Sequence, residues 1–299
     1  MDDHRLRRHP LGFLEVVQRP SPSELSKYYA DHYYQESHSS YQAKYSPEEL
    51  TCIRLRIEQR AFHAIALHPG MRNRSLLDVG CGEGFVLAHF DNLGWEVEGI
   101  DFSLAGVSTM NPSLIGRVDQ GDIFSILQSR IARGATYDLV WLGNVLEHVL
   151  DPIGLLRSLR QLVNVDGALV VTVPNDGSEY QEGLLRDGLI NRRFWIAIPD
   201  HMSYFTADSL RDTAAATGWS MTDILASFPI DLYLAHPGSN YVKDRDLGPA
   251  AHRARLRFGT LVNAHGPEAA NRLYSAFAKV GLGRDLTAFL QPTPKGPST

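Results

Sequence analysis

From Ser75 onward the chain alternates short apolar runs with segments of helical period, and this alternation constrains the fold most. "SLLDVG", "WEVEGID", "RVDQGDIF", "YDLVWLGN" and "GALVVTVPN" read as strands, the third as a strand followed by a loop. "GFVLAHFDNLG" reads as a helix closed by Gly94, "SLAGVSTMN" as a short helix and "PIGLLRSLRQLVN" as an amphipathic one. Strands separated by helices pair in parallel, because a parallel pair needs a long crossover to bring the chain back. The strands are apolar at both parities, as expected where helices cover both faces of a sheet. "TADSLRDTAAATG" and "WSMTDILASF" extend the pattern as a capped helix and a strand. After two helical stretches near 250–265 and 268–280, "DLTAFLQP" at 285–292 reads as a last strand returning to the sheet.

The segment before Ser75 has another character. Gly12–Val17 is a short strand, and Ser23 is an N-cap for a helix to about Asp31. Residues 28–45 hold six tyrosines in 18 positions. "SPEEL" then places Ser46 as N-cap, Pro47 at the first helical position and Glu49 three residues after the cap, which predicts a helix to about Leu67. Of the 299 residues, 43% are hydrophobic and 21% charged, an ordinary globular mixture. A formal net charge of −5 argues against a dedicated nucleic-acid binder. Two cysteines, Cys52 and Cys81, imply no disulfide framework, so a cytoplasmic location is expected. The first residues are basic without a following apolar segment, unlike a signal peptide. No apolar run approaches the roughly 20 residues of a membrane-spanning helix.

The strand "LLDV" feeds Gly80-Cys81-Gly82-Glu83-Gly84 and then a helix. A glycine turn at the carboxyl edge of a parallel sheet lets a nucleotide-like ligand approach the backbone. Dinucleotide sites use G-x-G-x-x-G; here the spacing is G-x-G-x-G and position 85 is Phe. Asp78, two residues before the turn, opposes a pyrophosphate and suits a ligand carrying an ammonium and a sulfonium. Asp101 ends the next strand about 20 residues on, where a carboxylate grips a ribose diol. Asp122 in "GDIF" stands where a carboxylate accepts from an adenine amine, with Ile123 beside the base.

These motifs, ordered from about 75 to 175, resemble those of the class I S-adenosylmethionine-dependent methyltransferases. "LLDVGCGEG" is similar to the family's first motif, "GIDFS" to its acidic second strand and "GDIF" to its adenine motif. "YDLVWLGNVLEHVLDP" and "GALVVTVPN" are similar to its fourth- and fifth-strand motifs. The resemblance implies an α/β, Rossmann-like, seven-stranded, mostly parallel sheet with helices on both faces. It implies S-adenosyl-L-methionine as cofactor and S-adenosyl-L-homocysteine as product. It assigns Asp78, Gly80, Gly82, Asp101, Phe102, Asp122, Ile123 and Gly143 to the cofactor. Residues 71–230 and 284–292 form the expected core, residues 1–70 an N-terminal lid or cap, and 176–200 and 231–283 are insertions shaping the acceptor pocket.

On the acceptor side, "NVLEHVLDP" is expected to open a helix facing the cofactor, with Glu147, His148 and His201 as catalytic candidates and a histidine as general base. Ubiquinone-pathway O-methyltransferases and small-RNA 2′-O-methyltransferases hold a divalent metal with E-x-x-E-H plus a later histidine. This sequence matches at Glu147, His148 and His201 but has Asn144 in place of the first glutamate, which removes one charge; a metal is the lesser expectation, with Glu147, His148 and His201 as its candidate ligands and Asn144 as a weak fourth oxygen. Arg186, Arg192 and Arg193 are candidates for meeting a phosphate, against the plainer reading of a solvated face.

The N-terminal tyrosine segment and "VGLGRDLTAFL" also resemble methyltransferases of surface-glycan and natural-product sugar pathways. The expected enzyme methylates a small polar acceptor, first a hydroxyl of a sugar or of a nucleotide- or phosphate-linked sugar. A quinol, a phenol, a natural product or an amino sugar comes next. A nicotinamide-dependent oxidoreductase is the distant alternative, disfavoured by the missing third glycine. No nucleic-acid partner and no membrane span are expected; a homodimer is left open.

Overall fold

The computed structural model describes residues 3–21, Glu24 and residues 45–294. The helix expected behind Ser23 and the tyrosines from Tyr28 to Tyr41 lie outside the described residues. Two short strands, β1 (Leu6–Arg8) and β2 (Leu14–Val16), precede helix α1 (Pro47–Leu67). The alternating region follows as β3 (Ser75–Val79), α2 (Phe85–Asn92), β4 (Glu96–Asp101), α3 (Ala105–Met110), β5 (Val118–Gln120), α4 (Ile123–Ala132) and β6 (Tyr137–Gly143). It continues as α5 (Pro152–Leu162), β7 (Val163–Pro174), α6 (Glu179–Arg186), β8 (Ser203–Tyr204), α7 (Ala207–Ala216) and β9 (Trp219–Ala226). Helices α8 (Gly248–Asn263) and α9 (Pro267–Lys279) lead to β10 (Asp285–Pro292).

The main sheet has seven strands in the order β5-β4-β3-β6-β7-β10-β9. Pairing is parallel from β5 to β7, and β10 runs antiparallel between β7 and β9. The last strand therefore returns to the sheet interior, as its sequence indicated. Strand order reverses between β3 and β6, and that switch point opens a crevice at the carboxyl ends of the strands.

Side-chain alternation divides the interior into two cores. Leu77, Val79, Val140, Leu142, Val171 and Val173 face one side, against α5 and α7. Leu76, Leu139, Trp141, Val170 and Phe289 face the other, with Ala61 and Ala64 of α1 and Ala270 and Tyr274 of α9. Asp78, Thr172 and Thr287 share the parity of Leu76, Val170 and Phe289. The second face thus becomes polar at the strand ends, under the α1–α8–α9 layer. Helix α1 starts where the capping box requires: Glu49 N donates to Ser46 Oγ and Ser46 N to Glu49 Oε2.

Two segments depart from the expected elements. The stretch after "GDIF" is helix α4, because Asp122 caps it, its Oδ1 accepting from Ser125 N at 2.9 Å. "NVLEHVLDP" does not open as a helix. Residues 144–150 form turns, Asn144 takes φ 55°, and the helix starts only at Pro152 behind the Asp151 cap. A second sheet, β1-β2-β8, is antiparallel and joins residues 6–16 to Ser203–Tyr204.

Candidate active site

One cavity of about 1180 Å³ runs from the glycine turn to the layer formed by α1 and α8. All eight residues assigned to the cofactor from sequence line it: Asp78, Gly80, Gly82, Asp101, Phe102, Asp122, Ile123 and Gly143. The turn is held from two sides. Gly80 N and Cys81 N both donate to Ile100 O, at 2.7 and 3.1 Å. Gly82 N donates to Asp101 Oδ2 at 2.8 Å, and Ser103 N to Asp101 Oδ1 at 3.0 Å.

Glycine is required at two places for different reasons. Gly80 has φ +74°, and a Cβ there would lie 2.3 Å from Val145 Cγ2. Gly106 sits at the start of α3, where a Cβ would lie 2.7 Å from Gly82 O. The helix backbone therefore touches the turn backbone directly. Tyr45, the last of the tyrosine-rich segment, donates to Glu83 Oε1 at 2.6 Å and meets the Phe85 ring edge-on.

Asp78 is buried, and no described residue donates a hydrogen bond to its carboxylate. Burial, reinforced by the Asp101 charge, pushes its pKa up to about 8. A cationic ligand relieves that penalty, and an anionic pyrophosphate aggravates it. Asp122 spends Oδ1 on Ser125 N and Oγ, and its exposed carboxylate remains at the cavity edge.

The acceptor-side candidates come together. Met202 N and Ser203 N both donate to Glu147 O, at 2.7 and 3.1 Å, pinning the 144–150 turn to the segment that follows His201 and enters β8. The rings of His148 and His201 meet edge-on at 4.9 Å between centroids. Glu147 Oε1 lies 3.7 Å from His148 Nε2, and His148 Nδ1 lies 2.9 Å from Asp200 O. His201 Nδ1 is 3.6 Å from Asp176 Oδ2 and its Nε2 is 3.9 Å from Asp200 Oδ2. Burial disfavours a charge on His148, yet Glu147 and Asp200 outweigh it and raise the imidazole to about 9. His148 is therefore cationic at neutral pH, while burial pushes the Glu147 carboxyl up.

The donor set also suits a divalent cation. One ligand atom each from Glu147, His148 and His201 lies within 4.8 Å of the others. Glu147 Oε2 and His201 Nδ1 are buried without a hydrogen-bond partner. With a cation bound, the Nδ1 contact of His148 with Asp200 O would fix the neutral tautomer in which Nε2 is the ligating atom.

Asp176 and Asp200, the carboxylates that face the two histidines, were not singled out from sequence; only the "PDHMS" run places an acid beside His201. Arg56, Arg60 and Arg255 were likewise missed, and they line the cavity. The expected phosphate candidates do not. Arg193 makes a two-pronged pair with Glu182, Arg186 lies beside Asp187 on the surface, and Arg192 is exposed. The solvated-face reading holds for them.

A parallel sheet with this switch-point turn, an unsatisfied buried acid before it and a ribose-position acid after it defines a class I S-adenosylmethionine-dependent methyltransferase. The family described as "Methyltransferase domain" matches residues 53–224, more than half of the chain, and the chain belongs to that family. It is 29% identical over 160 residues to a ubiquinone biosynthesis O-methyltransferase of Paraburkholderia xenovorans, covering 49% of this chain and 68% of the relative. Against the namesake from Vibrio parahaemolyticus it is 31% identical over 111 residues, 36% of this chain and 46% of the relative. The chain thus spans less than half the length of that second relative. The fold is similar to that of a SAM-dependent methyltransferase from Archaeoglobus fulgidus, with TM-score 0.50, 20% identity and coverage of 79% and 93% of the two chains. Among the described residues no helix is long and apolar enough to cross a membrane.

Proposed function

We propose that the enzyme transfers the S-adenosylmethionine methyl group to a hydroxyl of a small polar acceptor, with His201 as the proton acceptor. A sugar hydroxyl is the first candidate, and a phenol or quinol the second. The observation that carries this reading is the Glu147–His148–His201 group in the cavity wall, with Asp200 beside it in the wall and Asp176 behind His201. Methyl transfer from a sulfonium is an in-line displacement that depends first on alignment. A neutral amine needs little more, but a hydroxyl gains from a base. His148, held cationic, cannot take a proton, so it orients the group while His201 receives it. Gln59, Asn263, Thr172 and Thr287 give the cavity the hydrogen-bonding lining a sugar would use. The two relatives named as O-methyltransferases agree with an oxygen acceptor.

S-adenosylhomocysteine should bind stoichiometrically in isothermal titration. His201→Asn should leave that binding intact and lower kcat by about 10²- to 10⁴-fold in a tritium-transfer screen of hydroxyl acceptors. Failure to bind the cofactor product would defeat the whole reading; unchanged kcat would remove His201 from the chemistry. A second reading has a divalent cation on Glu147, His148 and His201, which would lower the pKa of the acceptor oxygen. The partnerless Glu147 Oε2 and His201 Nδ1 favour it. Loss of activity with a chelator, restored by magnesium or manganese, would select it over the metal-free base.

A further inference from the structure

The arginines lining the cavity gather away from the cofactor acids. Asp78, Glu83, Asp101 and Asp122 stand at the cofactor end, and Arg56, Arg60 and Arg255 at the other. Arg56 and Arg60 are one turn apart on α1 and so lie on the same face. Arg255 comes from α8, which packs on α1 where Gly259 gives room to Cys52; a Cβ there would stand 3.3 Å from its Sγ.

None of the three arginines has a carboxylate within ion-pair distance among the described residues. Arg60 has one hydrogen bond, Nη1 to Thr172 Oγ1 at 3.4 Å. Arg255 Nη2 lies 3.1 Å from His252 Nδ1, whose Nε2 faces Glu49 Oε1 at 3.2 Å, so the guanidinium is oriented by a neighbour and not neutralised. The Asp285 carboxylate also lines this end; it accepts from Ser227 Oγ, and its charge favours the cationic form of Arg60 and Arg255 without pairing directly with either.

Arg56, Arg60 and Arg255 are half-buried in the cavity wall, and gathering three like charges where solvent is partly excluded is costly. Burial and the Arg56 charge hold the Arg60 guanidinium down to about 10. Guanidinium groups match the geometry of oxyanions, which take two donors from each fork.

We propose that Arg56, Arg60 and Arg255 bind an oxyanion group of the methyl acceptor, a phosphate ester or a carboxylate, and so orient its hydroxyl toward the sulfonium. This rests on the methyltransferase reading and specifies its substrate class as anionic. The basic end holds the acceptor by its charge, and the distance to the cofactor end then selects which hydroxyl is methylated.

The test is calorimetric titration of the S-adenosylhomocysteine-loaded protein with inorganic phosphate, pyrophosphate and malonate at fixed ionic strength. Saturable binding of at least one anion is expected, weakened at least tenfold in both Arg60→Gln and Arg255→Gln, with Arg60→Lys intermediate. S-adenosylhomocysteine affinity should stay within about twofold in the variants. Their melting temperatures should stay near that of the wild type, since no carboxylate among the described residues pairs directly with either arginine. Phosphate or pyrophosphate binding points to a phosphorylated acceptor, and malonate binding alone to a carboxylate. No anion binding to the loaded wild-type protein, or wild-type anion affinity in both glutamine variants, overturns the proposal. Failure of S-adenosylhomocysteine itself to bind would instead strike the methyltransferase reading.

Discussion

Asp78 is the residue whose environment conflicts most with its ionised form. It sits near the carboxyl end of a buried strand, between Leu77 and Val79, with no described donor to its oxygens, and its pKa rises to about 8. An acid whose folded pKa lies above its unfolded value binds more protons when folded. The protein therefore loses stability as pH rises from about 4 to about 8. Asp78→Asn removes that loss. Thermal unfolding should show the variant more stable than wild type at pH 8, by a few kcal/mol, and nearly equal to it at pH 4. The same variant should bind S-adenosylmethionine at least tenfold more weakly, because a neutral amide does not compensate the ligand's charge. A variant less stable than wild type at pH 8 would mean that the carboxylate serves the fold. The acids at 78 and 101 were legible because a charge in an apolar strand needs a reason. The arginines at 56 and 60 were not legible, since at helical spacing they look like the solvated face of α1. Only the placement of α8 beside that face makes it a cavity wall.

At the scale of elements, the turn and the helix that meets it form one unit. Helix α3 approaches the glycine turn so closely that Gly106 has Gly82 O within 2.7 Å of its missing Cβ. Alanine is the better helix former, by roughly 1 kcal/mol, so propensity alone predicts that Gly106→Ala stabilises α3. Contact with the turn backbone predicts the opposite where it matters. The turn must shift, Gly82 N leaves Asp101 Oδ2, and cofactor affinity should fall at least tenfold while circular dichroism stays unchanged. Titration with S-adenosylhomocysteine checks this; wild-type affinity would show that the turn tolerates the displacement. The mostly parallel sheet and the returning β10 were readable from the alternation of strands and helices and from the apolar run at 285–292. The 144–150 turn was not, because "NVLEH" carries helical spacing. Its conformation is set by contacts far along the chain, from Val145 to Gly80 and from Met202 and Ser203 to Glu147 O. Those contacts also bring His148 to His201 across 52 residues, a proximity that spacing alone could not specify.

At the scale of the whole molecule, the net charge of −5 conceals a cavity with an acidic end and a basic end. The two half-sites should therefore be coupled through the charge of the cofactor. S-adenosylmethionine carries a sulfonium that S-adenosylhomocysteine lacks. An anion held by Arg56, Arg60 and Arg255 is attracted to the first ligand and not to the second. For charges about 10 Å apart and an effective dielectric constant between about 20 and 80, the attraction is roughly 0.4–1.7 kcal/mol. That corresponds to about 2- to 18-fold in affinity. Reciprocity requires the anion to tighten S-adenosylmethionine by the same factor. Transfer neutralises the sulfonium and removes the attraction, so the methylated product is released from a weaker site than the one that captured its precursor. The measurement is pyrophosphate titration of both complexes at about 20 mM and 500 mM salt. The S-adenosylmethionine complex should bind several-fold more tightly at low salt. The ratio should shrink toward one at high salt, where the screening length falls to a few ångströms. Equal affinity at low salt would show that solvent in the cleft isolates the two ends, leaving orientation alone as the role of the arginines.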